Sequence, residues 1–194
     1  MTKKIYSLIN DESLFYTKAL TLLFIITGTI GFIGGELMPE EASAVIAQTA
    51  VDFNFLKDFT AIQLFLFIFL NNAIKAFIMM LGGIFFGIIP VLFILLNGYA
   101  IGIVVSVVLA GSSISTIILG LLPHGFLEIP AVLLAAGYGV WLGEKLYRKF
   151  SKKIPLMPAV KEARKVFLYI ILPAIAIAAL IESTVTIALL KTTL

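Results

Sequence analysis

His124 and Glu128 stand four residues apart in LLPHGFLEIP, residues 121–130. On one helix that spacing puts an imidazole and a carboxylate on the same face, where they could act as acid and base or share a ligand. A zinc hydrolase built on this spacing needs a second histidine and a third ligand, and His124 is the single histidine of the chain. The absence of cysteine removes disulfides, thiolate metal sites and a cysteine nucleophile. Ser106, Ser112, Ser113, Ser115 and Ser183 offer hydroxyls, but no GxSxG elbow frames any of them. The expectation is no catalytic set, no metal and no cofactor. Two roles then compete for His124 and Glu128. They could pin a helix break at Pro123 and Gly125, with Glu128 accepting backbone N–H groups that lipid would leave bare. They could instead take part directly in ligand binding or proton movement.

The same question recurs along the chain. Asn71, Asn72 and Lys75 interrupt one apolar run, Asn97 and Gly98 a second, and Glu182, Ser183 and Thr184 a third. A charged side chain at the bilayer centre costs about 2.5–3.5 kcal/mol on insertion scales, so such residues usually face a partner or a wet cavity. At a rise of about 1.5 Å per residue, Glu128 and Glu182 fall at similar depths, with Asn71 and Asn97 nearer the midplane and Lys75 lower. Together they would make one polar column. The competing account is packing, since asparagine bonds across membrane helices and glycine lets them approach.

These residues need helices to carry them. The chain has 194 residues, 61% hydrophobic and 13% charged, with mean hydropathy +1.12. That composition belongs to an all-α polytopic membrane protein. Five spans are expected, at 18–37, 60–86, 88–110, 126–143 and 166–190, forming a single membrane domain over 1–194. Pro123 and Gly125 suggest a re-entrant half-helix before the fourth, and Pro173 a kink in the fifth. An amphipathic outer helix is expected at 41–59, where Val45, Ile46, Thr49, Phe53, Leu56 and Phe59 recur at helical spacing.

Segment 144–165 carries eight Lys and Arg, whereas Glu36 to Asp58 carries one Lys and five acids. The positive-inside rule makes the first a cytoplasmic loop and the second external, with the amino terminus inside and the carboxyl terminus outside the cell membrane. The net charge of +3 reflects this distribution and implies no nucleic-acid partner. A short internal echo, IPVLFILLNGYAIG from Ile89 and IPAVLLAAGYGVWLG from Ile129, falls on oppositely directed spans, as an inverted repeat would.

Asn71-Asn72, GGIFFGIIP from Gly82, Asn97-Gly98 followed by Gly102, and above all LPHGFLEIPA ending at Ala131 resemble the stage II sporulation protein M family. The resemblance runs from about Phe59 to Gly143, with Pro-His-Gly-x-x-Glu at its core. It implies a multispan, non-enzymatic scaffold or assembly protein. In sporulating bacteria such a protein works beside a peptidoglycan-degrading machine and anchors soluble hydrolases. Relatives in organisms without that wall carry no such implication, and the outer acidic segment of this chain is short.

The leading expectation is thus a non-enzymatic membrane scaffold. The alternative is a channel or transporter for an ion or small solute, with a path through His124, Glu128, Asn71, Asn97 and Glu182. An intramembrane hydrolase using His124 and Glu128 is the remaining class. The small-residue face at Gly82, Gly83 and Gly87 suggests a homo-oligomer, most simply a dimer. Membrane lipids are certain company, and a membrane or extracellular protein partner fits the scaffold expectation.

Overall fold

Asn10 starts the first helix. Its side-chain oxygen accepts from the Ser13 N–H at 2.6 Å, and Asp11 and Glu12 sit in the first turn, where the positive helix end favours them. Helix α1 therefore spans Asp11–Leu37 and begins a turn or more before the apolar run. The computed structural model describes residues 9–52, 54–111, 114–153 and 155–192, of which 50, 54, 57, 114–124 and 185–192 by backbone alone.

After Met38, α2 (Pro39–Asp52) opens with a proline at its first position and is followed by a 3-10 turn, Asn54–Asp58. It buries Ala42 and half-buries Ile46, leaving Val45 exposed. The outer amphipathic element is thus a helix and a separate turn. Thr60 and Gln63 form a reciprocal capping box that begins α3 (Ala61–Leu81). Gly82–Phe85 tighten into a 3-10 turn, and Phe86 (φ 53°) and Gly87 (φ 79°) reverse the chain into α4 (Ile88–Gly111).

Helix α5 runs Ile114–Lys152. Its backbone passes through Pro123 and Gly125 without a turn, so the half-helix expected there is the beginning of the same helix. Membrane helices tolerate an internal proline because local adjustment and neighbouring helices satisfy the freed carbonyls. The basic segment 144–165 is also mostly helical: α5 continues to Lys152, and α6 (Met157–Val166) follows shortly after. A π-helical turn, Phe167–Ile171, links α6 to α7 (Leu172–Thr192). This wide turn lies just before Pro173. A proline ring clashes with the carbonyl four residues back, and widening the ladder there relieves the clash that was expected to kink the span.

Among the described residues five helical segments are long and apolar enough to cross a membrane, and the protein is a multi-pass membrane protein. Their arrangement follows from two glycine seams. A methyl placed on Gly98 of α4 would lie 2.8 Å from the Phe24 carbonyl oxygen of α1, one on Gly102 would lie 2.0 Å from that of Gly28, and one on Gly31 of α1 would lie 2.0 Å from that of Tyr99. The first two contacts advance together along both helices. Helices α1 and α4 therefore run parallel, backbone against backbone. In the second seam, a methyl on Gly139 of α5 would fall 2.3 Å from the Met79 carbonyl oxygen and one on Gly143 would fall 2.6 Å from that of Gly83, while one on Gly83 would fall 1.9 Å from that of Gly139. This makes α3 and α5 a second parallel pair, running opposite to the first. Gly83 and Gly87 both touch Gly143, and Gly82 is buried against Ile89. The face expected to meet a symmetry mate is therefore taken up inside one chain.

At the basic end the two pairs are clasped together. The Trp141 indole N–H donates to the Glu12 carboxylate at 2.7 Å, and Lys145 pairs with the same carboxylate. Arg148 lies 4.0 Å from Glu12 and pairs with Glu144. Asn10 donates to Glu162, tying α6 to the start of α1. Helix α7 closes the bundle by packing Ala179 against Leu64 and Ile68.

Candidate functional site: a polar cavity between the helix pairs

Midway along the bundle, α3 turns Asn72 inward and buries it at 7% exposure. Lys75, one turn further along, is half-buried beside it. From α4, Asn97 is half-buried and its side-chain N–H donates to the Phe93 carbonyl at 2.8 Å. From α5, Glu128 completes the set. These four side chains line one cavity of about 60 Å³, walled by Phe24 of α1, Phe93 and Ile101 of α4, and Val132 of α5.

The cavity lies where the α1/α4 pair meets the α3/α5 pair. At roughly 10–15 Å³ of such volume per water, it has room for about four to six waters. Its walls combine an ammonium, a carboxylate and two carboxamides with aromatic and aliphatic surface. In a low-dielectric surround these groups can hold an ion, order water or exchange a proton.

The polar residues singled out from sequence divide into three groups. Asn72, Lys75, Asn97 and Glu128 come together. Glu182 does not line the cavity but is close enough to Lys75 for the two to interact electrostatically, so α7 joins the group indirectly. Asn71 is exposed on the outer side of α3 and takes no part. Gly98 serves packing: a methyl there would fall 2.2 Å from the Thr27 hydroxyl. Gly125 is half-buried within α5. Pro123 and His124 lie on the helical backbone of α5, and their side chains fall outside the described residues. Ser183 is buried and its hydroxyl donates to the Leu180 carbonyl at 3.1 Å, a structural bond. Among the described residues no cluster of His, Asp or Glu could hold a metal ion.

The apolar lining residues are ones that polarity alone could not flag, and Phe24 is the one that comes from α1. A signal for it existed in the glycines of IITGTIGFIGG, which require the first helix to lie close against another and bring its aromatic neighbour to the junction.

A family model described as stage II sporulation protein M matches residues 20–187. An uncharacterised protein of Methanocaldococcus jannaschii is 34% identical over 120 residues, covering 60% of this chain and 67% of that protein. No solved structure matches.

Proposed function

This chain belongs to the stage II sporulation protein M family, and from that premise we propose that it is a membrane conduit or carrier for a small ion or proton, with its site at the cavity of Asn72, Lys75, Asn97 and Glu128. One observation carries this reading. Polar groups from α3, α4 and α5 converge at mid-depth, at the junction of two parallel helix pairs that run in opposite directions. Transport folds of the inverted-repeat kind place their substrate at such a junction. Retaining a lysine and a glutamate there against an insertion cost of about 2.5–3.5 kcal/mol each is consistent with use beyond packing.

The scaffold reading is the second, and the glycine seams favour it. Helices that meet backbone to backbone at Gly31, Gly102 and Gly139 leave little freedom within each pair. Any movement that opens the cavity must then occur between the pairs. A scaffold would use the same polar cluster as a fixed cross-brace. Self-association, expected in this reading, would have to use a face other than Gly82, Gly83 and Gly87.

The deciding experiment is reconstitution in liposomes, with proton and monovalent-cation flux measured for the wild type and for folded Lys75→Met and Glu128→Gln variants. The conduit reading expects flux above empty vesicles, reduced at least about tenfold in either variant, equivalent to about 1.4 kcal/mol at the barrier. Absence of flux in all three, with the variants melting earlier than wild type, would leave the cluster as a brace and return the scaffold reading.

A further inference from the structure

At the basic end, away from the polar cavity, an apolar groove of about 320 Å³ opens between α3, α5 and α6. Phe77 and Leu81 form one side, Leu142 the floor, and Val160 and Phe167 the other side, with Arg164 on the rim. The Phe77 and Phe167 rings meet at 5.6 Å between centroids. Phe167 begins the π-helical turn, and wide turns of this type recur at ligand sites. The volume falls within the range of small-molecule pockets, roughly 300–1,000 Å³.

The rim is charged in one sense. Arg164 is exposed and has no carboxylate within ion-pair distance among the described residues. Lys161 and Lys165 flank it on the same short helix and are also exposed. The acid of that helix, Glu162, is engaged by Asn10 of α1. A guanidinium presents a planar fork of donors that fits a phosphate, and it can reach from an apolar stem to the headgroup layer.

We infer that this groove is a binding site for one anionic phospholipid, its acyl chain lying between Phe77 and Val160 and its phosphate on Arg164. Charge complementarity selects the occupant. A second protein helix would need acids to match Arg164, Lys161 and Lys165, whereas an anionic lipid supplies apolar length and negative charge in one molecule already present in the leaflet. The seat would tie the end of α3 to α6 at the level where Gly83 crosses Gly139.

Native mass spectrometry of the full chain in mild detergent tests this, with phosphatidylglycerol and phosphatidylcholine of identical acyl chains as probes. One phosphatidylglycerol should remain bound to the wild type in preference to phosphatidylcholine. Arg164→Gln should weaken its retention about fivefold, the worth of one basic group at a membrane surface. Val160→Trp, which fills the groove and leaves every charge in place, should reduce retention of both lipids. Lys149→Gln, an exposed basic residue outside the groove, should change nothing. Equal retention of the two lipids by wild type, or a loss in Lys149→Gln as large as in Arg164→Gln, would overturn the site in favour of general surface charge. Circular dichroism checks folding of each variant, and Leu168→Trp replaces Val160→Trp as the groove-filling variant if the latter is unfolded.

Discussion

Trp141 is the chain's single tryptophan, and at 4% exposure it is buried with its N–H on Glu12, its ring edge against Tyr138 and the Lys145 ammonium 5.4 Å over its face. Intrinsic fluorescence therefore reports on one contact between α1 and α5. Glu12→Gln should keep an acceptor for the indole but lose the charge contacts, costing about 0.2–1 kcal/mol because the carboxylate is half exposed and solvent-screened. Glu12→Ala also leaves the indole N–H without its partner, which adds about 1–3 kcal/mol. Melting followed by Trp141 emission should rank wild type, Glu12→Gln and Glu12→Ala in falling stability, and added salt should narrow only the first gap. At this scale the sequence was partly legible. Asn72, Lys75, Asn97 and Glu128 stood out because polarity in an apolar run is costly, and they do meet. Asn71 stood out equally and faces away, since adjacent residues on a helix differ by about 100° and polarity alone does not say which one points inward.

Helices here are positioned by what they lack as much as by what they carry. Gly102→Val should force α1 and α4 apart, costing about 1–3 kcal/mol or more, because the first atom met is the fixed Gly28 carbonyl and no flexible side chain can yield. Gly111→Ala, with open space around it, should leave the melting temperature of purified protein unchanged. The five spans were readable from hydropathy because each needs an unbroken apolar run, and their ends were less so. Asn10 caps α1 well before the apolar stretch, and α5 and α6 extend through much of the basic segment. Helix formation requires satisfied backbone and caps, whereas hydropathy marks only the part that lipid would cover. In the sequence Pro123 and Pro173 both look like interruptions. The first is passed without a turn. The second is accommodated by the π-helical turn before it, a local rearrangement that composition does not encode.

On the scale of the whole molecule, the clasp places the amino-terminal end of α1, Trp141 and α6 at one end of the bundle, the end that the distribution of Lys and Arg assigns to the cytoplasm. Because the chain has no cysteine, single substitutions Lys149→Cys and Glu41→Cys give a clean test with a membrane-impermeant thiol reagent on intact cells. Labelling is expected at position 41 before lysis and at 149 only after it. The reverse pattern would invert the topology without altering the fold. The parallel pairing of α1 with α4 was not legible in advance, since glycines at helical spacing announce a close partner without naming it. That pairing also sets a timetable. A growing chain presents α1 to the bilayer long before α4 exists, so its bare glycine ridge must wait through the making of two intervening α-helices for its proper mate. During that interval the ridge on a second nascent copy is an equally good fit, and crowding of ribosomes on one message would favour the wrong match. Slow translation between residues 38 and 88 should lower the yield of properly assembled protein, while faster delivery of α4 should raise it.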